Sequence, residues 1–346
     1  MSQIKLGMLS KADTVEGQGV GSAYKELMRL LETYGKDDFE LTVNKPVKQC
    51  DVLHAHTVNF GSFFKLKFLH KPSVISVHFT PDMADNSIRL PKLFVKVFDK
   101  YLIHVYKSAD VVHVVNPDLK KELLQYGFKE ENIYYIPNFV AKSQFYPKSA
   151  DEKSELRKKY GYKDTDFIAF ACGQTRAGKG VQDFVETAKL VPDVKFIWAG
   201  GFSFGPLADG YTDTKDMLKN LPENVKFPGI VPRDEINDLL NLSDLFFFPS
   251  YQELFPMSIL EAASTHTPLL LRDIPEYRDI LRGHYIMKTN NDDFASAIRA
   301  LKDDSDLYEE WKQKAAQVAE QYSEERIYQI WKKFYSDRAS TGRKQK

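Results

Sequence analysis

Short apolar runs alternate along this chain with longer stretches of helical periodicity. Ile4–Leu9, Ser73–His78 and Phe167–Cys172 are three of these runs. Runs that are apolar almost throughout are typical of strands covered by helices on both faces, and parallel strands need a crossover segment between them. The sequence therefore predicts an α/β fold with two doubly wound, Rossmann-like domains and a ligand-binding cleft between them.

The domain limits are predicted from composition. A polar segment, 142–163, carries Pro147 and separates two sets of strand and helix patterns. We expect an N-terminal domain over 1–145 and a C-terminal domain over 146–322. Residues 323–346 are expected to form a helix that packs back towards the N-terminal domain, followed by a basic tail. A chain of 346 residues is long enough for two such domains.

Charge and composition exclude several classes of protein. Lys and Arg number 48 and Asp and Glu number 48, and a net charge of zero argues against a nucleic-acid-binding protein. Cys50 and Cys172 are too few and too far apart for a disulfide scaffold or a cysteine zinc site. The sequence has no apolar run long enough to span a membrane and no signal peptide, so we expect a cytoplasmic protein.

A glycine-flanked loop between a strand and a helix, Gly173–Gly180, carries Arg176 and Lys179. Glycines let the backbone approach a ligand, the start of the helix offers free N–H groups, and the two cations add positive charge. The spacing is not that of a Walker loop. The pattern fits a diphosphate-binding loop, and it also fits an ordinary strand–helix turn with two solvated cations.

Two glutamates lie close together in the sequence, Glu253 in a loop after a strand and Glu261 in the following helix. A continuous helix would leave them about 80° apart, whereas the loop frees Glu253 to point into the cleft. Carboxylates accept hydrogen bonds from paired hydroxyls such as ribose and hexose diols, and the backbone N–H groups of Phe255 to Ser258 would lie beside them. Two glutamates alone are also typical of a solvated helix face.

A third group of residues lies in the N-terminal half. The glycine turn Gly17–Gly21 follows the first strand, and His54, His56 and His78 lie at strand ends. We expect Gly19 to bring its backbone near phosphates and His78 to reach the floor of the cleft. His54 and His56 are expected to be hydrogen-bonded core residues. No spacing here resembles a metal site, so no metal is expected.

Together these motifs resemble the retaining, sugar-nucleotide-dependent glycosyltransferases of family 4, which have the GT-B fold. The resemblance spans essentially the whole chain, with the motifs in the family's order. They are the Gly17–Gly21 turn, Asp51–His56, His78, Ile136–Asn138, Gly173–Gly180, Phe227–Gly229, Ser243–Phe246, Pro249–Ser250, and Glu253 and Glu261 with Ala262. The resemblance implies a hexosyltransferase with no bound cofactor and no metal.

The resemblance also implies a role for each motif residue. Arg176 and Lys179 would hold the donor diphosphate and stabilise the leaving group, and Glu261 would bind the ribose hydroxyls. Glu253 would contact the donor hexose, and His78 would lie by the transferred sugar. The other donor-binding positions, including the one against which the base would rest, are Gly19, Gly173, Ile230, Phe255, Pro256, Met257 and Ser258.

Two residues depart from the family's pattern. Pro256 replaces the usual glycine after Phe255, and His266 replaces a usual glycine before Thr267. Pro256 removes a backbone donor near the hexose, so the identity of the donor hexose stays open. Because no carboxylate stands out as a nucleophile beside the anomeric carbon, we expect attack on the same face as the leaving group, with the leaving phosphate as base.

The acceptor is expected to meet the N-terminal half. Between Phe60 and Lys107, eight Lys and Arg face three Asp, an excess of five positive charges in a neutral chain. Basic residues interleaved with phenylalanines suit an anionic membrane surface, although a core-facing helix with a solvated outer face has the same pattern. The residues assigned to the acceptor or the membrane are Phe63, Lys65, Lys67, Lys92, Lys96 and Lys100.

The segments Pro256–Ala262 and Leu271–Pro275 are similar to bacterial enzymes that add a hexose to glucosyl-diacylglycerol. This similarity implies α-transfer from UDP-galactose or UDP-glucose to that lipid at the inner face of the plasma membrane, giving the diglycosyl lipid that anchors lipoteichoic acid. A glycosyltransferase of capsule or other cell-surface polysaccharide synthesis, and a non-catalytic membrane- or partner-binding protein, remain open. An oxidoreductase is disfavoured, because Gly17, Gly19 and Gly21 lack the G-x-G-x-x-G spacing.

Overall fold

The computed structural model describes residues 3–10, 19–44, 49–58, 60–68, 71–81, 92–202 and 211–344. The chain forms two compact units. Unit 1 comprises Met1–Phe139 and Glu324–Lys346, and unit 2 comprises Val140–Ser323. Within the described ranges, no helix has both the length and the apolar composition that crossing a bilayer requires.

Unit 1 is built on one six-stranded sheet. Its strands are β1 (Ile4–Leu9), β2 (Phe39–Val43), β3 (Val52–Ala55), β4 (Ser73–Val77), β5 (Val111–Val114) and β6 (Ile133–Tyr135). Its helices are α1 (Gly19–Tyr34), α2 (Phe60–Phe68), α3 (Lys92–Tyr106), α4 (Pro117–Gln125) and, at the end of the chain, α13 (Glu324–Lys344). All neighbouring strands are parallel, in the order β2-β1-β3-β4-β5-β6, which is a doubly wound order that reverses at β1.

Helix α13 belongs to the core of unit 1. Trp331 and Tyr335 are buried on it, and their rings lie 5.7 and 6.0 Å from the ring of His54 in β3. Arg29 of α1 pairs with Glu324 at 2.6 Å, which ties the start of α13 to α1. The last helix of the chain therefore packs against the sheet that contains the first strand of the chain.

The structure corrects the predicted start of α1. The sequence predicted a turn over Gly17–Gly21 and a helix from Ser22, but the helix begins at Gly19. Gly19 therefore lies in the first helical turn, where backbone N–H groups have no partner within the helix. Gly17 lies outside the described residues.

Unit 2 has its own six-stranded sheet. Its strands are β7 (Phe167–Cys172), β8 (Val194–Ala199), β9 (Val225–Gly229), β10 (Leu245–Phe248), β11 (Leu269–Arg272) and β12 (Ile286–Lys288). Its helices are α5 (Ala150–Tyr160), α6 (Val181–Leu190), α7 (Tyr211–Met217), α8 (Arg233–Leu242), α9 (Met257–Ser264), α10 (Pro275–Leu281), α11 (Asn291–Asp303) and α12 (Ser305–Gln321). The strands are parallel in the order β12-β11-β10-β7-β8-β9, which is the Rossmann order.

Aromatic side chains form much of the core of unit 2. The ring of Phe247 in β10 stacks on Phe184 of α6 at 5.5 Å and contacts Phe294 of α11 at 4.9 Å. Trp198 in β8 is fully buried, and its Nε1 donates to the carbonyl oxygen of Gly173 at 3.1 Å. This core holds the carboxyl ends of β7, β8 and β10 in fixed register beneath the loops that follow them.

Candidate active site

The strand order of unit 2 reverses between β7 and β10, and open α/β sheets bind ligands at the carboxyl ends of the strands beside such a reversal. The loop that leaves β7 carries Arg176 and Lys179. The loop that leaves β10 carries Glu253, and Glu261 lies in the next helix, α9. The structure thus places all four predicted residues on segments that start at one edge of one sheet.

Gly180 fixes the contact between these two loops. Its φ is +73°, and a Cβ at this position would lie 2.2 Å from the carbonyl oxygen of Pro249. Ala177–Lys179 form a 3-10 turn just before it, and α6 begins just after it. A side chain at position 180 would therefore push the loop after β7 away from the loop after β10.

Gly180→Ala is expected to lower the stability of unit 2. Gly161→Ala is the matched control, because Gly161 has φ +79° but a Cβ there meets nothing within 4 Å. Both variants carry the strain of a left-handed residue, about 1–2 kcal/mol. We expect Gly180→Ala to unfold at a lower temperature than Gly161→Ala, because only Gly180 also packs against a neighbouring loop. Equal melting temperatures would contradict this.

Lys179 and Glu253 form a buried ion pair between the two loops. The Lys179 Nζ donates to Glu253 Oε1, and the two side chains are 15% and 6% exposed. Ser250 Oγ donates to the same carboxylate oxygen at 2.8 Å. The sequence was also compatible with solvated cations in this loop and with glutamates on a solvated helix face. The burial of Lys179 and Glu253 disagrees with that interpretation. Buried charges in loops at the carboxyl ends of strands are typical of sites that bind charged or polyhydroxylated ligands.

Arg176 lies on the same loop, and among the described residues no ion pair joins it to a carboxylate. Its Nε is buried without a hydrogen-bond partner, and so is the Oγ1 of the adjacent Thr175. Buried polar groups in proteins are nearly always hydrogen-bonded, so two such atoms side by side indicate a place for a polar ligand. An anion would satisfy the guanidinium.

Glu261 is 4% exposed and pairs with Arg233, the first residue of α8. Arg233 Nη1 lies 2.8 Å from Glu261 Oε1, and its guanidinium lies 5.1 Å from the ring of Phe145. Burial, with the nearby Glu261 charge, raises the pKa of the Cys172 thiol, which keeps that residue at the end of β7 neutral. Glu261 is thus held in the first half of α9 by an ion pair with a half-exposed cation.

The segment before α9 can offer backbone N–H groups, rather than side-chain groups, to a ligand. Phe255 and Met257 are 5% and 7% exposed, and the Phe255 ring contacts Tyr322 at 5.1 Å. Pro256 precedes the helix, and its carbonyl accepts from Ile259 N at 3.2 Å. The N–H groups of Met257 and Ser258 belong to the first turn, which helical hydrogen bonds leave open. Of the predicted donor-binding side chains, Phe255 and Met257 are therefore core residues.

Gly173 and Ile230 lie on the ends of β7 and β9. The Gly173 N–H already donates to Ala199 O at 3.0 Å, so Gly173 supplies space rather than a free donor. A Cβ on Gly173 would lie 3.2 Å from the Phe248 ring. Ile230 is 67% exposed and lies against Gly201, where it leaves a flat apolar surface.

His78 follows β4 in unit 1. Its Nε2 is buried without a hydrogen-bond partner, and its ring lies 4.4 Å from that of His56. Burial lowers the pKa of His78 to about 3, so the imidazole is neutral. His54 and His56 are 0% and 2% exposed, so their predicted burial is confirmed, and His54 is hydrogen-bonded to Tyr335 and Ser76 as predicted.

The residues assigned to the acceptor or the membrane lie on α2 and α3. Phe63 is half-buried against His104 at 5.3 Å, and Lys67 is exposed with its Nζ 5.5 Å from the Phe63 ring. Lys65 is half-buried, and Lys100 is exposed. Lys92 and Lys96 belong to α3, but their side chains lie outside the described residues.

Three neighbours of the site were not singled out from the sequence. They are Arg233, Ser250 as the partner of Glu253, and Arg272. Arg233 follows the turn after β9, and Ser250 follows the end of β10, so their positions at strand ends were a usable signal. The partners of Arg233 and Arg272 lie far away in the sequence, so no local pattern identifies them, whereas Ser250 lies three residues from its partner Glu253.

Two family models match the chain. The model described as glycosyl transferases group 1 matches residues 152–318, and the model described as Glycosyltransferase Family 4 matches residues 23–144. The alpha-galactosylglucosyldiacylglycerol synthase of Streptococcus pneumoniae is 39% identical over 99% of this chain and 92% of its own length. The chain therefore belongs to the group 1, family 4 glycosyltransferases, and it is a hexosyltransferase, as the sequence predicted.

A further relative and a solved structure are also similar to this chain, and the solved structure bears on the fold. The processive diacylglycerol alpha-glucosyltransferase of Acholeplasma laidlawii is 28% identical over 84% of this chain and 86% of its own length. The crystal structure of Anabaena HepE in complex with UDP and glucose matches 97% of this chain and all of that one, with a TM-score of 0.76 and 17% identity. The same protein in complex with UDP-glucose gives a TM-score of 0.75. The predicted GT-B fold is confirmed.

Proposed function

We propose that this protein transfers galactose or glucose from a UDP-sugar to glucosyl-diacylglycerol, with retention of configuration, and so makes a diglycosyl-diacylglycerol. The observation that carries the proposal is the buried Lys179–Glu253 pair at the strand reversal of unit 2, on a loop that also carries Arg176, whose Nε is buried without a hydrogen-bond partner. The names of the two curated relatives support a glycerolipid acceptor. The UDP-glucose complex of HepE supports a uridine nucleotide donor.

The departing UDP develops negative charge on its β-phosphate. Arg176 and Lys179 are positioned to neutralise that charge, and cations fixed in a buried site stabilise the transition state without reorganising. Glu261 would accept hydrogen bonds from the ribose hydroxyls, and Ile230 would support the base. In this proposal the two cations serve the diphosphate, and no metal is required.

Glu253 is poorly suited to act as a nucleophile. Its Oε1 accepts hydrogen bonds from Lys179 and Ser250, which withdraw electron density from the carboxylate. We therefore assign it to the hexose hydroxyls, where a fixed acceptor orients the sugar. The bond from C1 to the phosphate oxygen breaks as the acceptor hydroxyl oxygen bonds to C1 from the same face. The hydroxyl proton passes to the departing phosphate.

An exposed surface on unit 1 supports action at a membrane. On α2, Phe64 and Phe68 are 55% and 60% exposed and stack on each other at 5.9 Å, with Lys67 beside them. On α3, Val97 and Phe98 are 62% and 39% exposed. Large apolar side chains exposed among lysines favour the surface of an anionic bilayer. We propose that the protein is peripheral on the inner face of the plasma membrane.

Phe64→Ser combined with Phe68→Ser is expected to weaken binding to vesicles that contain phosphatidylglycerol by about tenfold or more, because two aromatic rings no longer enter the interface. UDP binding should be unchanged. Leu124→Ser is the matched control, since Leu124 is 41% exposed on α4 of the same unit. Vesicle sedimentation measures the difference. Equal binding by the double variant and the control would contradict the assignment of this surface.

The function is tested by incubation with labelled UDP-galactose or UDP-glucose and vesicles with or without glucosyl-diacylglycerol. We expect a labelled diglycosyl lipid with an α-linkage from one of the two donors. Transfer to a water-soluble glycan with no need for vesicles would instead identify an enzyme of polysaccharide synthesis. No transfer and no hydrolysis of either donor would indicate a binding protein that has kept the fold.

A further inference from the structure

Arg272, at the end of β11, is buried, and its guanidinium contacts four residues on three segments of unit 2. Its Nε donates to Pro249 O at 2.9 Å, and its Nη1 donates to Thr289 O at 2.6 Å. Its Nη2 lies 3.2 Å from Asp183 Oδ1. The guanidinium carbon lies 3.9 Å from the centre of the Tyr251 ring. None of the roles assigned above uses this residue.

Three of these contacts meet at the donor loops. Pro249 and Tyr251 belong to the loop that leads to Glu253, and Asp183 lies in the first turn of α6, which follows Lys179. The Pro249 carbonyl is also the group against which Gly180 packs. One cation therefore ties the loop after β10 to the helix that follows the loop after β7.

A second set of hydrogen bonds extends this link to the phosphate loop. Tyr251 N donates to Gly178 O at 3.0 Å, and Ser250 Oγ lies 3.2 Å from the same oxygen. Burial and the nearby Asp183 carboxylate raise the pKa of the Tyr251 hydroxyl, and Arg272 contacts both Asp183 and the Tyr251 ring, so the three residues lie together. Movement of Arg272 would displace both loops together.

We infer that Arg272 is a positioning residue for the nucleotide-sugar donor, which sets the spacing between the loop of Lys179 and the loop of Glu253. This inference rests on the proposed function. A planar guanidinium with donors in several directions can bridge two carbonyls and a carboxylate while it stacks on an aromatic ring, and lysine cannot. The contacts of Arg272 described above are all with protein groups, so its effect passes through the two loops.

The test is Arg272→Met, which keeps the apolar bulk and removes the charge and all three polar contacts. We expect the KM for the UDP-sugar and the Kd for UDP to rise about ten- to hundredfold, because small displacements of positioning groups have effects of this size. The kcat should change less than the KM, because the diphosphate is already bound in the ground state. Arg272→Lys should recover only part of the lost affinity.

Arg157→Met is the matched control. The Arg157 side chain is 12% exposed, against 10% for Arg272, and it pairs with Asp244 at 2.7 Å near the opposite ends of the strands. We expect it to lower the melting temperature of unit 2 as Arg272→Met does, but to leave the Kd for UDP unchanged. If Arg272→Met does not fold, Tyr251→Leu provides the same comparison, because Tyr251 is 54% exposed.

The outcomes are distinguishable. Arg272→Met or Tyr251→Leu that binds UDP as tightly as the wild type overturns the inference and leaves the proposed function standing. An equal loss of UDP affinity in Arg157→Met also overturns it, because the effect would then come from destabilisation of the unit. A wild-type protein that binds no UDP overturns the inference and the proposed function together.

Discussion

Lys179→Met is expected to lower kcat/KM by about a hundred- to a thousandfold, the usual effect of removing one preorganised group that stabilises charge in a transition state. It should also destabilise unit 2 by about 3–5 kcal/mol, because Glu253 is left as a buried carboxylate without its cation. Adding Glu253→Gln removes that charge. The double variant should regain most of the stability and none of the activity, since both roles in donor binding are then lost.

Denaturant unfolding and the transfer assay measure the two effects separately. Lys189→Met is the control, because Lys189 forms an exposed pair with Glu186 at 2.8 Å on α6. That exposed pair should contribute less than about 1 kcal/mol and nothing to activity. A Lys179→Met protein with near-normal turnover, or a double variant that recovers activity along with stability, would contradict the assigned role of Lys179.

Unit 1 is expected to lose stability steeply as the pH falls from 7.5 to 5. Burial lowers the pKa of His78 to about 3, that of His113 to about 4, and that of His54 well below its ordinary value. These pKa values are lower in the folded chain than in the unfolded chain. Below about pH 6.5 the unfolded state therefore binds more protons than the folded state, and the free energy of unfolding falls as the pH falls. Each histidine should cost about 2 kcal/mol of folding free energy by pH 5.

Hydrogen-bond geometry explains why two of these histidines must stay neutral. The Ile136 carbonyl can only accept, so His113 Nε2 donates to it at 2.9 Å, and His113 Nδ1 then accepts from Ser76 Oγ at 2.9 Å. Ser76 Oγ in turn accepts from His54 Nε2 at 2.8 Å. His54 Nδ1 accepts from Tyr335 OH at 2.8 Å. A proton added to either ring would remove an acceptor from this chain.

Thermal unfolding at pH 7.5 and pH 5 measures the effect on the transition that includes unit 1. His113→Asn should be less stable at pH 7.5 but should show a shallower dependence on pH, because one titrating group is gone. His284→Asn, in unit 2, is the control and should not alter the transition of unit 1, because His284 lies outside that unit. The same melting temperature at both pH values would contradict the prediction.

Local patterns were enough to predict the centre of each sheet and the two donor loops. The buried strands β7 and β10 are continuous apolar runs, β4 is apolar apart from two serines, and glycine, arginine and lysine mark the loop after β7. The strands β2 and β12 were not identified, because they are short edge strands with mixed burial. Edge strands depend on pairing with a neighbour more than on their own composition.

The partners of the site residues could not be predicted from the sequence. The contact between Arg233 and Glu261, and that between Arg272 and Pro249, join residues that are far apart in the sequence. These contacts depend on the order of the strands in the sheet, which local patterns do not give. The sequence also left open whether the phenylalanines near Lys67 face the core, and the exposure of Phe64 decides this for α2. His266 has φ +59°, a left-handed conformation that agrees with glycine being the usual residue there.

Calorimetric titration of UDP into the protein tests most directly whether the four charged residues of unit 2 form a nucleotide site. We expect one site per chain in the wild type. We expect no measurable binding after Arg176→Ala combined with Lys179→Met, and weaker binding after Glu261→Gln. A wild-type protein that binds no UDP, or variants that bind it as tightly as the wild type, would contradict the assignment of this site.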